Sequence, residues 1–300
     1  MAEPSLPPAP FGRMLTAMAT AFDADGSVDL EGTARIAEHL VEHGNDGVVV
    51  SGTTGESPTT SVEESGRILQ AVKDAVGERA TVLAGVGTTA TAHSVELAQQ
   101  AAKIGVDGML LVTPYYSKPG QAGVLHHFRT VAEAGDLPVM LYDVPGRTAT
   151  RIELATYEAA RSMANVVAVK DATGDVARTP LLTELGYAVY SGDDAATLGF
   201  LAHGGCGLVS VAGHVAGREL ATMIEAFLSG DHREALSIYT RLMPAVHAVM
   251  GVSNYGATTA KAAMELLGVI PNRAVRGPLV PLDAAEVEAL RTGLAASGLI

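Results

Sequence analysis

Eight short apolar runs punctuate the 300-residue chain, and each gives way to a segment with helical periodicity. In order they read "MLTAMATAF", "DGVVVSG", "TVLAGVG", "GMLLVTP", "PVMLYDV", "VVAVKDA", "AVYSGDD" and "GLVSV". Runs this short and this continuously apolar are strands covered on both faces, as in parallel sheets. Helical patterns lie between them at residues 29–43, 61–76, 91–104, 121–134 and 152–163, several introduced by Asp, Ser or Thr in capping positions. Eight such units predict a closed (β/α)8 TIM barrel, an α/β fold that needs about 250 residues. Beyond the eighth run, helical patterns continue near 216–228, 232–250, 256–267 and 284–296. The expected organisation is a flexible, Pro-rich N-terminal tail over 1–12, a catalytic barrel over 13–228 and a C-terminal helical extension over 229–300.

Composition narrows the partners. No apolar run approaches the roughly 18 residues of a membrane span, and the first residues lack the basic start and apolar stretch of a signal peptide. The expectation is a soluble, cytoplasmic protein. Cys206 is the single cysteine, which excludes an intrachain disulfide and any multi-cysteine zinc site. A formal net charge of -13 argues against nucleic acid. An acidic substrate would have to be held by local cations working against that field.

A barrel of this kind carries its chemistry at the carboxyl ends of the strands. There the sequence offers "SGTTGES" after strand two, "TPYYSKP" after strand four, "YDVPGRT" after strand five and Lys170 at the end of strand six. Alternation along "NVVAVKDATGD" puts Val166, Ala168 and Lys170 on one face and Val167, Val169 and Asp171 on the other. Alternation along "PVMLYDV" puts Met140 and Tyr142 together, so Tyr142 and Lys170 can both point inward from neighbouring strands about 4.8 Å apart. Desolvation lowers a buried lysine's affinity for a proton and frees its lone pair. Such an amine attacks a carbonyl to form a Schiff base, whose protonated form stabilises an enamine. Tyr142 is the nearest proton shuttle, with Thr53 and Tyr116 as relays to water. The hydroxyls and amides of "GTTGES", read as a glycine turn entering a helix, can bind a carboxylate.

Four motifs in this order, "GTTGESPT", "TPYYSKP", "YDVPGRT" and "VVAVKDATGD", resemble the dihydrodipicolinate synthases, pyruvate-dependent members of the N-acetylneuraminate lyase superfamily. The resemblance runs from about residue 12 to the C-terminus. It implies that Lys170 forms the Schiff base with pyruvate, with Tyr142 beside it. Thr53 would belong to the proton relay, and Tyr116 would cross into a neighbouring subunit's site. Thr54 would bind the pyruvate carboxylate, assisted by backbone around Val209, and Gly192 would line the site. Arg147 would grip the carboxylate of L-aspartate 4-semialdehyde through a bidentate fork. The implied reaction is the entry step of lysine and diaminopimelate biosynthesis, with no organic cofactor or metal, in a homotetramer built from tight dimers.

Two other readings compete. His39, Glu42 and His43 spell the H-x-x-E-H pattern of inverted zinc proteases. Their helix end runs toward the start of strand two, opposite the strand-end chemistry, so they read as solvated histidines. His126 and His127 likewise read as surface residues. The second alternative keeps the lysine chemistry and changes the acceptor to N-acetylneuraminate or a keto-deoxy sugar acid. Thr53 argues against the lyase, which usually has serine there, and Arg147 argues for a small acceptor bearing a carboxylate. The resemblance also implies a site for inhibitory lysine at the dimer interface. Here Val62 and Ser65 stand where its histidines would be, and Thr89 and His93 where an asparagine and a glutamate would be. Ser57 and Tyr115 remain. The expectation is weak or absent inhibition by lysine.

Overall fold

The computed structural model describes residues 6–252 and 255–300. Its strands are β1 (Met14–Ala17), β2 (Gly47–Val50), β3 (Thr81–Gly85), β4 (Gly108–Val112), β5 (Val139–Asp143), β6 (Val166–Asp171), β7 (Ala188–Ser191) and β8 (Gly207–Ser210). They close into a barrel in sequence order, every neighbouring pair parallel and β8 returning to β1. The helices are α1 (Leu30–Glu42), α2 (Val62–Val76), α3 (Thr91–Ile104), α4 (Gln121–Gly135), the single turn α5 (Pro145–Thr148), α6 (Leu154–Ala160), α7 (Thr179–Glu184), α8 (Thr197–Ala202), α9 (Gly213–Leu228), α10 (His232–Met250), α11 (Ala257–Leu266) and α12 (Ala284–Ala296). No helix among the described residues is long and apolar enough to cross a membrane.

Two apolar layers follow from strand alternation. Val48, Val82, Leu111, Leu141 and Val169 face outward into the layer beneath the helices. Leu15, Val49, Leu83, Leu110, Met140 and Ala168 fill the barrel interior. The alternation expected on β6 is broken near its start. Val139 pairs with Val166 but Met140 pairs with Ala168, so Val167 is an extra residue in the register and Val166 joins the outer layer instead of sharing a face with Lys170. Lys170 still points inward, because the shift occurs before Ala168.

The expected tail does not extend to Phe11. Its ring is buried in the barrel interior with Leu15 and Tyr190, its backbone N–H donates to the Tyr190 hydroxyl, and that hydroxyl donates to the Gly12 carbonyl. An aromatic ring filling the lower barrel outweighs the local Pro-rich signal. Residues 1–5 lie outside the described residues.

The turn after β2 also differs from expectation. "GTTGES" leads not into a long helix but into one 3-10 turn, Ser57–Thr59, with Pro58 inside it. α2 begins later, where Ser61 and Glu64 form a reciprocal capping box. The loop is set by its own bonds instead: Gly55 N to Gly52 O at 3.1 Å, Glu56 N to Thr53 O at 3.1 Å and Thr20 Oγ1 to Gly55 O at 2.9 Å. Glu56 takes a left-handed backbone at φ 56°, unusual for a residue with a side chain.

Candidate active site

A cavity of about 460 Å³ opens at the carboxyl ends of the strands, and Lys170, Tyr142, Thr53, Thr54, Arg147 and Gly192 all contribute to its wall. Tyr142 and Lys170 are register partners on β5 and β6. The ammonium lies 4.4 Å from the centroid of the phenol ring. Gly192 is required by this crowding: a Cβ there would come within 3.1 Å of Lys170 Cε and 2.9 Å of the Ala172 Cβ.

Burial sets the protonation states. Lys170 is 4% exposed, and desolvation, opposed by Asp194 and reinforced by Arg147, brings its pKa down to about 8. Tyr142 is pushed up to about 12, chiefly by desolvation, so the phenol holds its proton at neutral pH. A substantial neutral-amine fraction beside a protonated phenol is the pairing that carbinolamine formation needs.

Asp194 was not singled out by sequence reasoning. It lies buried after β7 and accepts from the Ser210 hydroxyl, from Val211 N at 3.0 Å and from Ala212 N at 3.4 Å. Burial raises its pKa and these donors oppose the rise. It is the nearby carboxylate that partly offsets the desolvation of Lys170.

Behind Tyr142 and Lys170 stands a second feature the sequence left unread. Asp143 and Asp171, the residues following Tyr142 and Lys170, are also register partners and face outward, fully buried. Arg178 donates to Asp143 at 3.0 Å and to the Ile152 carbonyl at 2.8 Å, while Ile152 N and the Tyr157 hydroxyl also donate to Asp143. Asp171 accepts from Thr173 N at 2.9 Å and from its hydroxyl at 2.7 Å. The strand ends that present Tyr142 and Lys170 are thereby held from outside the barrel. The signal available in sequence was the repeated Asp after each inward residue.

Arg147 sits on the one-turn helix α5 at the cavity rim, and among the described residues it has no ion-pair partner. Its guanidinium lies 4.8 Å from the centroid of the Tyr255 ring, and Tyr255 and Met250 complete that side of the wall. Both come from the C-terminal extension.

Two candidates lie elsewhere. Val209 packs in the barrel interior, and Val211, one layer higher on the same face, takes its place in the cavity wall. Tyr116 is 91% exposed, holds a left-handed backbone at φ 70° and does not line this chain's cavity, whereas Tyr115 does.

The histidines are less solvated than their sequence context predicts. His39 and His43 stack at 4.1 Å and bond to the carbonyls of His214 and His39. His127 is buried, with its Nδ1 3.0 Å from the Thr91 hydroxyl. α4 turns it toward α3, and local periodicity on an amphipathic helix does not separate an inward imidazole from an outward one.

Comparison with known proteins shows the family and the fold. The model of the "Dihydrodipicolinate synthetase family" matches residues 10–297. The 4-hydroxy-tetrahydrodipicolinate synthase of Kineococcus radiotolerans is 55% identical over 293 residues, 97% of this chain and 94% of that one. The enzyme of the same name from Acidothermus cellulolyticus is 54% identical over 295 residues, 98% of this chain and 95% of that one. Among solved structures, the Cyanidioschyzon merolae protein with lysine bound superposes with a TM-score of 0.93 at 40% identity, covering 97% of this chain and 99% of that one.

Proposed function

The chain belongs to the dihydrodipicolinate synthetase family, and on that premise we propose that it condenses pyruvate with L-aspartate 4-semialdehyde to 4-hydroxy-tetrahydrodipicolinate. The enzyme is a Schiff-base lyase of lysine and diaminopimelate biosynthesis. The observation that carries the residue assignments is the register pairing of Tyr142 with Lys170 at the floor of a cavity whose rim holds an ion-unpaired arginine, among the described residues.

The Lys170 Nζ lone pair adds to C2 of pyruvate while Tyr142 delivers a proton to the carbonyl oxygen. Loss of water gives the iminium, and loss of a C3 proton gives the enamine. C3 then adds to the aldehyde carbon, whose oxygen takes a proton. The acceptor's own amine adds at C2 and displaces Lys170, so one water leaves overall. Thr54, assisted by backbone around Val209, holds the pyruvate carboxylate, Gly192 leaves room for the lysine, and Thr53 passes protons outward from Tyr142. Arg147 presents a fork to the carboxylate of the acceptor. No cofactor enters these steps.

Tyr116 is assigned to the neighbouring subunit's relay. An exposed aromatic ring on an unfavourable backbone conformation supports a role outside its own chain. The working unit is then at least a dimer, within a homotetramer of tight dimers acting in the cytoplasm.

Borohydride reduction with pyruvate tests the core of this reading, through the mass added to the peptide carrying Lys170. No adduct there would sink it. Arg147→Lys separates the acceptor role, because a point charge cannot reproduce the fork: the semialdehyde step should weaken far more than adduct formation. Mixed oligomers of Tyr116→Phe and Lys170→Ala subunits should regain activity if the tyrosine crosses between chains. A fully active monomer in light scattering would contradict the assembly.

A further inference from the structure

The acceptor half of the cavity is closed by a residue from the C-terminal extension that no local motif announces. Tyr255 follows α10, and Gly256 after it takes a backbone at φ 105°. A Cβ at Gly256 would lie 3.8 Å from Thr54 Oγ1, so the chain reaches the carboxylate-binding loop here. On the other side the Tyr255 ring underlies the Arg147 guanidinium at 4.8 Å. Tyr142 and Tyr255 line the same cavity.

We propose that Tyr255 is a positioning residue for Arg147 and thereby a determinant of acceptor specificity, orienting the guanidinium for an aldehyde that carries a carboxylate. The inference rests on the assignment of Arg147 to the acceptor. A ring against a guanidinium uses the cation's face, and the five N–H donors lie in its plane. Stacking therefore orients the fork without consuming its hydrogen bonds. Arg147 otherwise stands on a single helical turn, exposed and without an acidic partner among the described residues. An acidic partner would have fixed the side chain but occupied the donors that the substrate needs. An aromatic face fixes it and leaves them free. A long side chain held this way loses less rotamer freedom when the carboxylate arrives.

The test compares Tyr255→Leu with Tyr255→Phe in the full-length enzyme. Readouts are KM for L-aspartate 4-semialdehyde, KM for pyruvate, the yield of borohydride-trapped pyruvate on Lys170, and the preference for the semialdehyde over propanal, which lacks the carboxylate. Loss of the ring should raise the semialdehyde KM by roughly 3- to 30-fold and reduce the preference over propanal by a similar factor. Pyruvate KM and adduct yield should stay within about two-fold, and phenylalanine, which keeps a face, should recover most of the loss. Equal changes in the two KM values, an unchanged semialdehyde KM in the leucine variant, or a phenylalanine variant no better than leucine would overturn the inference while leaving the Schiff-base reading intact. Absence of any adduct on Lys170 in the unsubstituted enzyme would overturn both.

Discussion

Lys261 of α11 pairs with Glu56, the glutamate of "GTTGES", at 2.5 Å, both side chains being 1% exposed. Lys261 also donates to the Ala274 carbonyl at 2.7 Å and lies 3.9 Å from the Phe22 ring centroid. Arg276 N donates to the other Glu56 oxygen at 2.8 Å. The C-terminal extension is thus bonded to the loop that carries Thr53 and Thr54, two residues upstream of the buried carboxylate. Breaking one side of such a pair strands the other charge and costs about 3–5 kcal/mol, whereas replacing both partners by neutral groups is often near neutral.

We therefore expect Lys261→Met to lower the melting temperature sharply and to raise the pyruvate KM. Adding Glu56→Gln should recover much of the stability. Thermal melts of the single and double variants, run beside pyruvate kinetics, measure both effects. A single variant as stable as the parent would show that the pair does not hold the loop.

The buried lysine of the active site sets a pH dependence. With a pKa of about 8, Lys170 is neutral in roughly a tenth of molecules at pH 7, against fewer than about one in a thousand for an ordinary lysine. Adduct formation should rise with pH and level off above about 8. The same shift acts on stability. The native state binds its proton less tightly than the unfolded chain, so stability rises as pH goes from about 8 to 10.5. Lys170→Met should consequently raise the melting temperature at pH 7, with the gain shrinking as pH rises through that window. A gain that is constant with pH would mean that desolvation of the charge is not its origin.

Two further histidines make the fold sensitive to acid. His214 accepts from Ala19 N at 3.0 Å through Nε2 and has Nδ1 2.8 Å from the Val211 carbonyl, so its neutral form satisfies both partners and protonation would set two donors against each other. Burial pushes it down to about 4, and desolvation does the same for His127. Below pH 6.5 the unfolded chain takes up protons that the native state refuses, and stability falls as pH drops from 6.5 toward 4. Each contributes up to roughly 3 kcal/mol across that window. His214→Asn and His127→Leu should flatten the fall in melting temperature between pH 7 and 5. An unchanged slope would assign acid lability to the carboxylates instead.

What could be read in advance depended on how local the cause was. The strands, the long helices and the inward pairing of Tyr142 with Lys170 follow from periodicities within about ten residues, and the structure bears them out. Val166 changed layers because a register shift depends on the partner strand. Asp194, Lys261 and Tyr255 were invisible because each meets its site partner across a barrel that must close first. No window around Lys261, 205 positions from Glu56, holds a trace of the carboxylate it meets. Phe11 was masked in the opposite way, by prolines that advertise a loose tail while one ring reaches the core.

The last prediction concerns control by lysine. A second cavity of about 190 Å³ adjoins the first and shares Ser51, Ser57, Gly85 and Tyr115 with it. Ser65, Thr89 and His93 line it as well, three of the four positions at which this sequence departs from the lysine-binding pattern implied by its family resemblance. No acidic side chain is in its wall, among the described residues. Glu63 and Glu64 immediately precede Ser65 on α2. Glu63 is exposed on α2, and Glu64 is committed to Arg276 through contacts of 2.6 and 2.9 Å and to the cap of its own helix. The Arg276 bonds bring the Glu64 pKa down to about 2, so it stays an occupied anion. A hydrogen bond to a charged group is worth roughly 1.5–3 kcal/mol, and losing one weakens binding about ten- to hundred-fold. Turnover at saturating pyruvate should therefore be insensitive to submillimolar lysine, in spite of the lysine bound by the Cyanidioschyzon merolae relative. His93→Glu, which places a carboxylate on the cavity wall, should increase sensitivity. Submillimolar inhibition of the unsubstituted enzyme would show that another part of the assembly supplies the missing charge.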